Sequence, residues 1–138
     1  MPNLAQARLI SLPSHPDARG VLTVLEANQD VPFSIKRIFY MYRVQPPYER
    51  GGHAHPATQQ LLMCVAGSMR IDLSDGEETH SFSLTDPCQG LYIPSMTWTR
   101  LYDFTPDAVC LAAASTHYVN GDVIREWDEY LRRIRECP

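Results

Sequence analysis

Lysine is nearly missing from this chain: Lys36 stands alone beside eleven arginines. Acidic residues outnumber basic ones, 16 to 12, for a formal net charge of -4. That balance denies the protein the basic footprint that phosphate-backbone contacts require, so no nucleic acid is expected as a main partner. Cysteine is scarce too. Cys64, Cys88, Cys110 and Cys137 include no CxxC pair, which excludes a zinc ribbon and a dense disulfide framework and leaves them as small core or surface residues. No apolar run approaches the roughly 20 residues of a membrane span, and residues 1–12 lack a basic flank followed by an apolar stretch. The expectation is a cytoplasmic protein with no membrane partner. Low-complexity tracts, linkers and repeats of 20 to 50 residues are also missing. With 138 residues, 44% of them hydrophobic, the chain reads as one domain over 1–138 that buries a core without a staple.

Short segments of β-formers recur at residues 9–12, 21–25, 35–44, 61–65, 69–73, 81–84, 91–93, 97–104 and 109–113, separated by Gly, Pro, Asp and Asn. This is the pattern of an all-β sandwich or barrel. Met69, Ile71 and Leu73 alternate with Ser68, Arg70 and Asp72, so one face is core and the other wet. Asp75-Gly76 supplies the turn that follows. From Asp122 onward the period changes. Ile124, Trp127, Leu131 and Ile134 recur three or four apart, predicting a C-terminal helix that starts near Asn120-Gly121-Asp122 and packs on the barrel through Trp127.

The most specific local feature is Glu49-Arg50-Gly51-Gly52-His53-Ala54-His55. On a strand, positions i and i+2 share a face, so both imidazoles can converge on one interior. Pro46, Pro47, Gly51 and Gly52 bend the approach and set the pair near a barrel mouth. The spacing matches the first metal-binding motif of the cupins, with Gln60 where the acidic ligand belongs and Gly67 in place. In the stretch matching the second motif, Gly90-Leu91-Tyr92-Ile93-Pro94, Trp98 stands near the position of the last histidine ligand. An amide replaces a carboxylate poorly on a cation and indole does not ligate at all, so no metal is expected. The histidines then become candidates for general acid–base work on a carbon made acidic by a neighbouring carbonyl.

Over nearly its whole length the chain resembles the dTDP-4-keto-6-deoxyhexose 3,4-ketoisomerases of deoxysugar biosynthesis. The resemblance is carried by Arg19-Gly20, Glu26, Val31-Pro32-Phe33-Ser34-Ile35-Lys36-Arg37, the Arg50 to His55 motif, Gly90 to Pro94, and Asp122-Val123-Ile124-Arg125. It implies a cupin jelly-roll β-barrel with a C-terminal α-helix, a homodimer, and conversion of dTDP-4-keto-6-deoxyglucose to its 3-keto isomer without metal or redox cofactor. It also implies His53, His55 and Tyr40 as catalytic residues, and Arg19, Arg37 and Arg50 as arginines that line the site or face the diphosphate. Gln60 joins the substrate-binding set, and Trp98 is either core or a stacking surface for base or sugar. In this scheme His55 takes the C3 proton, an enediol is reprotonated at C4, and His53 and Tyr40 relay the hydroxyl protons. Pro56 replaces the usual lysine, Phe39-Tyr40 a frequent Tyr-Tyr pair, and Trp127 a frequent tyrosine. A sugar 3,5-epimerase of similar fold, a non-catalytic ligand-sensing cupin and a metallo-cupin oxygenase or isomerase remain the alternatives.

Overall fold

The computed structural model describes residues 2–136. After a 3-10 turn at Leu4–Gln6 come strands β1 (Arg8–Ser11), β2 (Ser14–Asp17), β3 (Gly20–Thr23), β4 (Arg37–Tyr42), β5 (Arg50–Ala54), β6 (Gln60–Ala66), β7 (Met69–Ser74), β8 (Thr79–Leu84), β9 (Gln89–Ile93), β10 (Trp98–Tyr102) and β11 (Val109–Ala114), then helix α1 (Trp127–Glu136). The strands form a five-stranded sheet, β1-β9-β6-β11-β4, a four-stranded sheet, β5-β10-β7-β8, and a separate β2-β3 hairpin. Every pairing between these strands is antiparallel. The architecture is the all-β jelly roll with a C-terminal helix that the resemblance implies.

Period-two patterning sets the layers. The alternation on β7 turns Met69, Ile71 and Leu73 inward, where they meet Leu62 and Cys64 of β6, Leu91 and Ile93 of β9, and Cys110 and Ala112 of β11. The opposite side of the five-stranded sheet is apolar as well: Leu61, Met63 and Tyr92 pack on Leu12, Val31 and Phe33. β6 is therefore buried on both faces over most of its length, which explains its unbroken Leu-Leu-Met-Cys-Val run. Each fully buried Leu or Ile contributes roughly 1.5–3 kcal/mol of transfer free energy.

The Asp75-Gly76 turn joins β7 to β8. The Asp75 carboxylate accepts from the amides of Glu77 and Glu78 at 2.9 and 2.8 Å. Gly76 has φ +96, and a Cβ there would lie 2.5 Å from Cδ1 of Ile134 on α1. The turn thus needs glycine for its backbone and for the close approach of the helix.

Two strands escape the sequence pattern. β2 contains Pro16, and β5 contains Gly51 and Gly52 at φ +88 and +68, all residues that weaken a strand signal. On β5 the register against β10 slips between Thr99, opposite His53, and Arg100, opposite Gly51. Gly52 is the extra residue of this β-bulge, which bends the strand and re-aims the side chains that follow.

The helix begins five residues later than its periodicity suggests. Ile124 is held by two hydrogen bonds to Ala54, each 2.9 Å, so it forms a bridge at the edge of β5 in place of a first helical turn. The buried anchor of α1 is Tyr130, at 0% exposure, whereas Trp127 is 39% exposed and meets Trp98 edge-on at 5.2 Å. Ala54, Met96, Ile124 and Tyr130 form a third apolar cluster beneath the helix.

Candidate functional site

Toward one end the apolar interior gives way to polar groups. A cavity of about 420 Å³ is lined by Arg37 and Phe39 of β4, Arg50 and His53 of β5, His55 and Thr58 just beyond it, and residues 116–125. A second cavity of about 330 Å³ lies behind it, between the sheets, and shares Phe39, Arg50 and His53. Gln60 and Thr99 contribute to this inner chamber. Here Thr99 lies opposite His53 in the β5–β10 register, and Gln60 begins β6 opposite Ala114 of β11.

His53 and His55 meet in this site with ring centroids 4.8 Å apart and planes at 88°. Ala54 between them points to the cluster under α1, as strand alternation requires. Burial pushes both imidazoles down from their ordinary pKa. For His55 burial comes first, followed by His53, Arg37 and Arg125, and together they bring it to about 4. For His53 burial comes first, opposed by the Gly51 backbone, with Arg125 and Arg50 adding to the lowering. Both rings are neutral at working pH and able to accept a proton.

The Ala54–Ile124 pairing has a second effect. It aligns Val123 and Arg125 with the histidine face, and both line the outer cavity with Asp122. Arg125 was visible in the sequence only as part of a motif; its contribution to the wall depends on a strand-like contact that the helical periodicity concealed. His117, Tyr118, Thr58 and Thr116 also line the cavity without having been singled out, and the two threonine hydroxyls are 2.7 Å apart. Three arginines against one carboxylate give this cavity positive character within a protein of net charge -4. The Arg37 guanidinium lies 5.4 Å from the Phe39 ring and 5.7 Å from that of Tyr118. Its Nε, a donor, and the Nδ1 of His53 are buried with no hydrogen-bond partner among the described residues, hydrogen-bonding capacity that a hydroxyl-bearing anionic ligand satisfies.

Of the residues singled out from sequence, the fold brings together His53, His55, Arg37, Arg50 and Gln60. Tyr40 borders the inner chamber as part of β4, but its side chain turns away from the histidines. β4 alternates, so Arg37, Phe39 and Met41 face inward while Ile38, Tyr40 and Tyr42 face outward. Tyr40 is 61% exposed and its ring stacks on Tyr42; the inward position belongs to Phe39, which has no hydroxyl. Arg19 is also remote from the histidines in this chain. It lies at the β2–β3 turn with its side chain 90% exposed, paired with Asp17 at 2.7 Å. Trp98 packs against Trp127 and Tyr130 and lines neither cavity. No group of three or more His, Cys, Asp or Glu is placed to hold a metal ion among the described residues.

Comparison with known proteins identifies the family. The family model described as FdtA: WxcM-like, C-terminal, matches residues 5–135. A TDP-4-oxo-6-deoxy-alpha-D-glucose-3,4-oxoisomerase of Aneurinibacillus thermoaerophilus is 38% identical over 118 residues, 86% of this chain and 85% of its own. Among solved structures, a 3,4-ketoisomerase from Helicobacter canadensis superposes with TM-score 0.91 at 36% identity, covering 94% of this chain and 98% of that one. A histidine-to-asparagine mutant of the 3,4-ketoisomerase QdtA from Thermoanaerobacterium thermosaccharolyticum, in complex with TDP-4-keto-6-deoxyglucose, superposes with TM-score 0.93 at 36% identity over 98% of both chains. With a family model spanning almost every described residue and a curated relative at this identity, the chain belongs to the FdtA family, alongside these sugar 3,4-ketoisomerases.

Proposed function

We propose that this protein converts TDP-4-keto-6-deoxyglucose into the corresponding 3-keto-6-deoxyhexose by proton transfer at neighbouring carbons. The observation that carries this reading is the pair of neutral imidazoles, 4.8 Å apart, inside a cavity lined by three arginines. The C4 carbonyl makes the C3–H bond acidic. A histidine takes that proton, the bonding electrons form the C3–C4 double bond of an enediol, and the C4 oxygen becomes an enolate. That oxygen takes up a proton to complete the enediol, the O3 hydroxyl proton is lost as the C3 carbonyl forms, and C4 accepts a proton, so two protons leave and two return. No atom is gained or lost overall.

His53 is assigned the carbon proton, because it alone of the two histidines borders both cavities, while His55 relays the hydroxyl proton beside it. Arg37 and Arg50 face the developing enolate or the diphosphate. A preorganised donor of this kind typically contributes on the order of 3 kcal/mol to the barrier, and charge-assisted bidentate pairs suit phosphate oxygens. Arg125 joins the diphosphate set, and Gln60 orients hydroxyls in the inner chamber.

The protein is further proposed to act as a cytoplasmic homodimer. Cys64 and Cys110 face one another in register on β6 and β11 yet are free, which suits a reducing compartment. Val21 and Leu22 on the β2–β3 hairpin are 66% and 65% exposed. An apolar cavity of about 760 Å³ lies between this hairpin and Ile38, Met63, Val65 and Leu111 of the large sheet, a surface that a second copy would cover. Arg19, at the hairpin tip, would then point away from its own subunit's site.

The test is turnover in D2O followed by NMR, for the wild type, His53→Asn and His55→Asn. Deuterium entering at C3 or C4, with turnover lowered by roughly 10²–10⁴ in His53→Asn, is the expected result. Uptake at C5 would instead indicate 3,5-epimerase chemistry, and binding of the sugar nucleotide without turnover would indicate a ligand sensor; either overturns the reading.

A further inference from the structure

His55 lies one residue beyond the end of β5, so the ladder to β10 no longer holds its backbone. Its carbonyl instead accepts a hydrogen bond from the Met96 amide at 2.7 Å. Met96 occupies the turn between β9 and β10 at φ +60, a left-handed conformation that costs a residue with a long side chain roughly 1–2 kcal/mol. Something must hold it there. The Met96 side chain is buried with Ala54, Ile124 and Tyr130, and the Met96 carbonyl accepts from the Tyr130 hydroxyl at 2.8 Å. The same hydroxyl lies 3.2 Å from the Ser74 carbonyl. Burial pushes the phenol up to about 12, so it remains a donor at any working pH.

We propose that Tyr130 is a positioning residue for His55: its hydroxyl locks Met96 in the left-handed turn, and the Met96 amide in turn fixes the backbone that carries the His55 ring. Helix α1 thereby sets the pose of a site histidine it does not touch through its own side chains. The proposal rests on the ketoisomerase reading for its effect on rate, but its geometry is independent of any substrate.

Two variants and two readouts test it. In Tyr130→Phe, kcat on TDP-4-keto-6-deoxyglucose should fall 5- to 10-fold while KM stays within twofold. Adding Met96→Gly should restore kcat to within about twofold of the wild type, because glycine adopts φ +60 without strain. The double variant should nonetheless melt lower still, having lost a buried side chain. A purely structural tyrosine would instead lose rate and stability together in the double variant, and that result, or an unchanged kcat in Tyr130→Phe, overturns the proposal. The second readout needs no substrate. Titration of the His55 imidazole by NMR should show a pKa displaced upward, toward 6.5, in Tyr130→Phe and returned in the double variant. The groups around this ring, His53 on β5, Arg37 on β4 and Arg125 ahead of α1, with His117 and Asp122 in the same cavity lining, are unchanged between the wild type and these variants. Failure of the wild type to turn over the sugar nucleotide, with the titration behaving as described, would sink the substrate assignment and leave the tether standing. An unmoved titration would sink the tether. Met96→Gly alone supplies a further check, since it should lower the melting temperature without moving the His55 titration.

Discussion

Acid should weaken this fold through His55 before it weakens it through the carboxylates. The imidazole has an ordinary pKa of 6.5 and is brought to about 4 in the folded protein. Between those values the unfolded chain binds a proton that the folded chain refuses, so stability rises with pH across the window and is lost as pH falls through it. From pH 7.5 to pH 5 the loss amounts to at most about 2 kcal/mol, and somewhat less because the ring lines an open cavity. Asp72 and Asp75 are held below their ordinary value of 3.8, so what they contribute survives to more acidic solution. Urea unfolding of the wild type and His55→Asn at pH 7.5, 6.5, 5.5 and 5.0 isolates the effect. The wild type should lose about 1–2 kcal/mol more than the variant over this range, with unchanged m-values. Parallel profiles would show that the folded protein accepts a proton on His55 as readily as the unfolded chain does, refuting both its burial and its neutrality in the site.

The same depression should appear in catalysis, where kcat/KM reports the base in the free enzyme and its acid limb should fall below pH 6.5; a limb at or above 6.5 would contradict the environment described for His53 and His55. Arg50→Ala and Arg125→Ala should each weaken TDP binding by roughly 10- to 100-fold, the range for losing a hydrogen bond to a charged group, with a smaller response to added salt than in the wild type; unchanged calorimetric affinity would remove that arginine from the diphosphate set. Gly51→Ala should be far more damaging than Gly52→Ala. A Cβ at 51 would lie 2.7 Å from the Thr99 carbonyl oxygen in addition to adopting φ +88, whereas one at 52, with φ +68, meets nothing within 4 Å. Only the backbone term of roughly 1–2 kcal/mol applies at 52, and equal melting temperatures for the two variants would refute the tight β5–β10 approach. Tyr40→Phe should turn over within about threefold of the wild type, because its ring stands on the outer face of β4; loss comparable to that of His53→Asn would bring the hydroxyl back into the reaction.

Patterns governed by local periodicity were legible in the sequence, while those governed by contacts distant in the chain were not. The alternation of Met69, Ile71 and Leu73 against Arg70 and Asp72 reports one wet face and one dry one wherever the strand sits, and the His53-Ala54-His55 spacing says that both rings share a side. The inward face of β4 was harder to read. Phe39 and Tyr40 are both apolar enough for either side, and only the pairing with β11 settles that Phe39 turns toward the histidines. The apolar spacing of Ile124 with Trp127 suits a helix, but the backbone of Ile124 is taken by Ala54, some seventy residues earlier in the chain, and no local pattern announces such a partner. Arg125 entered the site for the same reason. The bulge at Gly52 was foreshadowed by two adjacent glycines, though a bent loop and a bulged strand share that signature.

The pairing of Ile124 with Ala54 also bears on when the site comes into existence. All eleven strands precede residue 115, so both sheets can assemble while the segment bearing Asp122 and Arg125 is still being synthesised. A nascent chain at that stage displays its histidines in an open trough, with the edge of β5 unpaired and Ala54 uncovered. Competence therefore arrives late and abruptly, when Ile124 pairs with Ala54 and helix α1 docks.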